Sequence, residues 1–216
     1  MENPGTFDAD SIRKGRSEVL HDLHVLDKTE IEKMTVRGQY KGYVTEKGVN
    51  TVSQTETYFR IETFLDSKKW KGVPFILESG KGLKESKVEV VVTFRHPIQC
   101  LCPEGASHYK NVLRYQVQPK EGINISFWVK KPGAVMDLEE RTFEFDYKSA
   151  FEGEEFSDAY ERLLGNVIKG DQTLFVSTEE IEYGWKFVDP IIRSWQEDRV
   201  LLVQYEKGSD DITKQY

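Results

Sequence analysis

Hydrophobic and polar residues alternate along this chain in two rhythms. Near the amino end, Ile12, Val19, Leu20 and Leu23 recur near helical spacing behind the aspartates of DADSIRKGR, and predict a helix from about Ser11. TEIE at 29–32 has the Thr-x-x-Glu form of a capping box and predicts the start of a short second helix. VRGQYKGYVTEKGVN (36–50) is glycine-rich and aperiodic and reads as a loop. The period then shortens. TETYFRIETFL (55–65), VPFILES (73–79), KVEVVVTF (87–94), VLRYQVQP (112–119), NISFWVKKP (124–132) and RTFEFDYK (141–148) are short runs rich in β-branched and aromatic residues, and Gly, Pro, Asn and Lys separate them. In the last run Phe143, Phe145 and Tyr147 alternate with Thr142, Glu144 and Asp146, so one face should be buried and the other polar.

Helical spacing returns at the carboxyl end. SDAYERLLGNVIKGD (157–171) offers Ser157 as N-cap, Tyr160, Leu163, Leu164, Val167 and Ile168 as an apolar face, and Gly170 as a stop. STEEIEYGWKFVDPIIRSWQ (177–196) opens on a capping box from Ser177 to Glu180, and Pro190 should kink or interrupt it. From about residue 205 the chain is a polar tail expected to fray. The architecture expected is α+β: a single domain over 1–216, with one large, mostly antiparallel β-sheet and helices from both ends of the chain packed on one face. The other face must be solvated, or buried against something outside this chain.

Composition narrows the partners. A net charge of −7 over 216 residues gives no support for nucleic-acid or anionic-membrane binding. No apolar run approaches the length of a membrane span, and MENPGTFDAD lacks an apolar signal core, so a cytoplasmic protein is expected. Cys100 and Cys102 are too close to form a disulfide framework. With His96 and His108 they could form a Cys/His metal site, but the spacing matches no zinc pattern, and two reduced thiols in a loop is the simpler reading.

Candidate chemistry centres on ESGKGL. The glycine spacing and the strand that follows rule out a nucleotide P-loop. What remains is Lys81 between Gly80 and Gly82 at a strand end: a point charge suited to an anion, or simply a β-turn with a solvated lysine. His21 and His24 could share a helix face as ligands, though a solvated pair is the plainer reading. No nucleophile motif and no dinucleotide fingerprint occur, so no catalytic residue is assigned.

The order of VRGQY, TET, WKGVPFILESGKGL, VQPKEGI, KKPG, DAYERLL and WKFVDPI resembles the C-terminal domain of glucose-6-phosphate dehydrogenase, over nearly the whole chain. The resemblance implies oxidation of glucose 6-phosphate to 6-phosphogluconolactone with NADP, in the pentose phosphate pathway. NADP and the catalytic histidine would belong mainly to an N-terminal Rossmann domain absent from this sequence. Met1 falls where an internal methionine often stands in the family. The large sheet would carry the interface of a homodimer, or pair this chain with a coenzyme-binding half. By the same resemblance Lys81 looks like the lysine that contacts the substrate, and Gln118 looks like a glutamine near the same pocket. Lys87 stands beside Ser86, which occupies a position usually basic in the family, and Glu78 occupies another. These departures also argue against a second, structural NADP site. Tyr160, Glu161 and Arg162 read as packing and salt-bridge residues, and Phe127, Trp128, Phe143 and Phe145 as core or interface. The chain is thus expected to be the substrate-binding and dimerising part of such an enzyme, without turnover alone, or a non-catalytic dimerisation or regulatory module derived from it.

Overall fold

The computed structural model describes residues 3–96, 109–135, 137–153 and 159–216. The chain forms two compact units, Met1–Lys84 with Ser157–Tyr216, and Glu85–Phe156. The architecture is α+β, as the patterning indicated, but the strands divide into two four-stranded sheets rather than one large one.

In the first unit, helix α1 (Ala9–His21) starts at Asp8, whose carboxylate accepts the Ser11 N–H at 2.9 Å, so the cap lies upstream of the expected start. Helix α2 (Lys28–Met34) carries a capping box, but on Asp27 and Glu30. Aspartate is the stronger cap and captures the helix start, leaving Thr29 inside the first turn. Strand β1 (Thr35–Tyr40) follows directly, where the glycine-rich sequence suggested a loop. It lies between β2 (Tyr58–Thr63), antiparallel, and β8 (Leu202–Tyr205), parallel; β3 (Phe75–Gly80) completes the order β3-β2-β1-β8.

Strand β1 escapes the alternation test because both its faces are covered. Thr35 pairs with Ile61 on the face occupied by α2 and by α5 (Thr178–Gln196), in a core of Leu26, Ile31, Ile61, Phe187, Ile191, Trp195 and Val200. Gly38 pairs with Tyr58 and Val203, and Tyr40 with Tyr205, on the opposite face. There Tyr40, Tyr58, Tyr205 and Ile212 form a second core. The polar residues of β1 are satisfied internally: Gln39 Nε2 donates to the carbonyls of Ser53 and Thr55. Ile212 belongs to helix α6 (Asp211–Gln215) and is 1% exposed, so the polar tail does not fray. One apolar residue in the right register anchors it and covers the second face of the sheet.

Helix α5 opens on the Ser177–Glu180 capping box and runs unbroken through Pro190. Phe187, Ile191 and Trp195, one turn apart and all buried, hold the helix on the sheet, and that burial outweighs the proline's cost of about 3 kcal/mol. Helix α4 (Ala159–Lys169) forms as expected, but its apolar side is exposed, with Ile168 at 85%. Ser157, its expected cap, lies outside the described residues, as do Cys100, Cys102 and His108. No helix among the described residues is long and apolar enough to cross a membrane.

The second unit is an antiparallel meander of β4 (Val88–Thr93), β5 (Val112–Gln118), β6 (Gly122–Lys130) and β7 (Leu138–Asp146), closed by the short helix α3 (Tyr147–Ala150). Its registers align Val90, Tyr115, Ile123 and Phe145 in one row and Val92, Leu113, Ile125 and Phe143 in the next. Alternation suggested that this apolar face would be buried, yet Phe143 is 62% exposed.

Candidate functional site

Lys81 lies in the first unit, in the turn that leaves β3. Gly80 is registered opposite Tyr58, and a side chain there would meet Leu83 and the Tyr58 ring at under 3 Å. Gly82 has φ +62°, a left-handed conformation that glycine adopts without strain. The backbone of the turn is tied down atom by atom. The Lys81 N–H donates to the Thr57 carbonyl at 2.7 Å, and the Lys81 carbonyl accepts from the Tyr205 hydroxyl at 2.6 Å. The Gly82 carbonyl accepts from the Gly208 N–H at 2.6 Å, and Leu83 makes a bridge to Ser209. These ties hold the turn against Thr57 and the Tyr205–Ser209 segment.

The Lys81 side chain is exposed, and among the described residues its ammonium has no carboxylate within ion-pair distance. A second cation flanks the turn: Lys207 packs beside Gly82, lies 4.9 Å above the Tyr40 ring and pairs with Glu46 at 2.8 Å. Glu78, on the face of β3 that carries Gly80, stands near Tyr58. Burial first, then the charge of Glu78, raises the Tyr58 phenol well above its ordinary pKa. The arrangement is an exposed lysine on a turn tied through its backbone, with an acid three residues earlier on β3.

Gln118 and Lys87 lie in the second unit and are brought together there. Gln118 ends β5 opposite Val88, the residue after Lys87, and a bulge follows between Val88 and Glu89. Lys87 Nζ is 2.7 Å from Glu89 Oε1, and Glu89 also lies 3.6 Å from Arg114. At that distance Glu89 is placed to neutralise Lys87.

The two histidines line one cavity but make different contacts. His21 ends α1, whereas His24 sits past it with Nδ1 3.3 Å from Asp66 and Nε2 3.1 Å from Glu30. Burial lowers the His24 pKa, but the hydrogen bonds to Glu30 and Asp66 outweigh it and the net displacement is upward. A cavity of about 350 Å³ adjoins it, lined in part by His21, Asp66, Tyr183 and Lys186. Tyr160 is 77% exposed, and Arg162 has no ion-pair partner among the described residues. Trp128 stacks on Tyr109 with ring centroids 3.8 Å apart.

Tyr40, Thr57, Tyr205 and Lys207, which build the Lys81 turn, were not singled out from sequence. The signal for them was LLVQY, a short apolar strand ahead of the polar tail.

The family model for the C-terminal domain of glucose-6-phosphate dehydrogenase matches residues 1–215. Glucose-6-phosphate 1-dehydrogenase of Borreliella burgdorferi is 36% identical over an alignment that covers 97% of this chain and 45% of that protein. The Caenorhabditis elegans enzyme is 32% identical, covering 100% and 44%. Among solved structures, glucose-6-phosphate 1-dehydrogenase from Mycobacterium avium superposes with a TM-score of 0.79 at 29% identity, over 97% of this chain and 42% of that one. A glucose-6-phosphate dehydrogenase in complex with its substrate glucose 6-phosphate superposes with a TM-score of 0.84 at 25% identity, over 99% and 45%. The chain spans about half the length of the curated relatives it matches. The chain therefore belongs to the glucose-6-phosphate dehydrogenase family, through that family's C-terminal domain.

Proposed function

We propose that this chain is the substrate-binding and dimerising part of a glucose-6-phosphate dehydrogenase, with Lys81 receiving the phosphate of glucose 6-phosphate. The observation that carries this reading is the Lys81 turn, fixed through its backbone while its ammonium is exposed and without an ion-pair partner among the described residues, in a chain that matches the family domain over 1–215. Gln118, in the second unit, is a further substrate-binding residue in this reading. Lys87, held by Glu89, contributes less than its charge suggests. NADP, held by a coenzyme-binding domain, would supply the hydride acceptor. The described residues of this chain orient the sugar phosphate and do not supply the base. The exposed apolar rows of the second sheet, from Val90 to Phe145 and from Val92 to Phe143, form the surface for a second copy. The compartment proposed is the cytoplasm.

The test is steady-state kinetics of the complete enzyme carrying this chain. Lys81→Ala should raise KM for glucose 6-phosphate roughly tenfold or more, as expected for loss of a charge-assisted contact. Unchanged KM and kcat would remove Lys81 from the site. Glu78 beside the turn and the Lys87–Glu89 pair favour one other reading, a non-catalytic dimerisation module. That reading would be supported if the complete protein neither reduced NADP nor bound glucose 6-phosphate.

A further inference from the structure

We infer that Tyr205 is a positioning residue for substrate binding, acting on Lys81 through a directed chain of hydrogen bonds that crosses the first sheet. The inference rests on the reading of Lys81 as a phosphate ligand. Tyr205 ends β8, lies 124 residues from Lys81 in sequence and is 4% exposed. Its hydroxyl lies 2.6 Å from the Lys81 carbonyl, 2.9 Å from Thr57 Oγ1 and 3.2 Å from the Thr57 carbonyl. A carbonyl can only accept, so the single phenolic proton goes to Lys81, the nearer of the two carbonyls. Thr57 must then donate its own hydroxyl proton to the phenolic oxygen. Thr57 Oγ1 in turn accepts the Tyr40 N–H at 2.9 Å. The order is therefore fixed: Tyr40 N–H to Thr57, Thr57 to Tyr205, Tyr205 to Lys81.

Each donor in such a series polarises the next, and burial keeps water from competing. Tyr40 and Thr57 are 7% and 8% exposed. Burial also raises the Tyr205 phenol, which keeps it protonated and donating at neutral pH. With the Lys81 N–H held by the Thr57 carbonyl, both polar groups of the Lys81 backbone end on one threonine–tyrosine pair. The lysine side chain is flexible, so the position of its charge depends on where the turn holds its Cα. The carboxyl-terminal segment is thereby part of the binding apparatus, although none of its residues need touch the sugar phosphate.

The experiment is a double-mutant cycle in the complete enzyme, measuring KM for glucose 6-phosphate, kcat and the thermal midpoint. Tyr205→Phe keeps the ring and removes the donor. It should raise KM about 5- to 10-fold, the loss expected for one buried hydrogen bond. Thr57→Val breaks the chain one step earlier and should raise KM by less. In a Lys81→Ala background, Tyr205→Phe should add no further increase. A purely structural tyrosine would lower the thermal midpoint equally in both backgrounds and leave KM unmoved, or raise KM by the same factor in both; either result overturns the inference. If Lys81→Ala itself leaves KM unchanged, the phosphate reading has failed first, and the inference falls with it.

Discussion

Arg37 offers a stringent test of the first unit. Its side chain is 3% exposed, and each of its three nitrogens donates a hydrogen bond where the carboxyl end of α5 meets the sheet. Nε donates to the Val200 carbonyl at 2.7 Å, Nη1 to Glu56 at 3.0 Å and Nη2 to Asp198 at 3.0 Å. Arg37→Met keeps most of the aliphatic volume and removes these contacts. Depriving the Val200 carbonyl of its donor beneath a residue 8% exposed costs about 1–3 kcal/mol. Glu56, 28% exposed, loses about 1 kcal/mol after solvent screening. Asp198, 69% exposed, is close to neutral. The expected loss is therefore about 2–4 kcal/mol, and the partners should rank by burial: Glu56→Gln about 1 kcal/mol, Asp198→Asn under about 0.5 kcal/mol. Asparagine suits position 198 because the backbone there has φ +55°. Urea unfolding followed by circular dichroism gives each midpoint, and equal slopes would license the comparison. The reasoning is refuted if Asp198→Asn costs as much as Arg37→Met, or if Arg37→Met costs under about 1 kcal/mol.

Two further outcomes follow from local geometry. Both ring nitrogens of His24 face carboxylates, Glu30 and Asp66, and only imidazolium can donate to both. Its folded pKa is raised above the ordinary 6.5, so its contribution is fully present below that value and is lost as pH rises through the folded pKa. Thermal midpoints between about pH 5 and 8 should fall more steeply with rising pH in the native protein than in His24→Gln, and parallel curves would exclude the effect. In the second unit, a Cβ on Gly122 would stand 2.5 Å from the Phe145 carbonyl oxygen, a backbone atom that cannot swing aside. Gly122→Ala should cost about 1–3 kcal/mol and speed proteolysis within 85–156, and unchanged cleavage would show that β6 shifts to accommodate it.

The sequence revealed elements whose two sides differ. Strands β2 to β7 and helices α1, α4 and α5 each present an apolar and a polar side, so periodicity exposes them. Strand β1 does not, because Arg37 and Gln39 sit as deep as its apolar residues and are satisfied by Val200, Ser53 and Thr55 rather than by water. A polar residue that finds its partner inside the fold reads as loop when only hydrophobicity is counted. Helix α6 fails the same test for a different reason. A five-residue element anchored by one isoleucine has too few turns to establish a period.

The candidate site follows the same division. Lys81 was legible because two glycines around a lysine at a strand end is a local pattern. Tyr205 and Thr57 were not, because their role exists only after β8 has paired with β1 in register, which brings Tyr205 opposite Tyr40. That parallel pairing joins residues far apart in sequence across the whole second unit, and a turn's local composition carries no trace of it. The order of causes runs from Ile212 packing over Gly38, to the seating of the carboxyl segment, to the phenol's reach to the Lys81 carbonyl. Loosening the tail at Ile212 should therefore weaken the turn before it unfolds the sheet, because the helix-facing core of Ile31, Phe187, Ile191 and Trp195 is built without it.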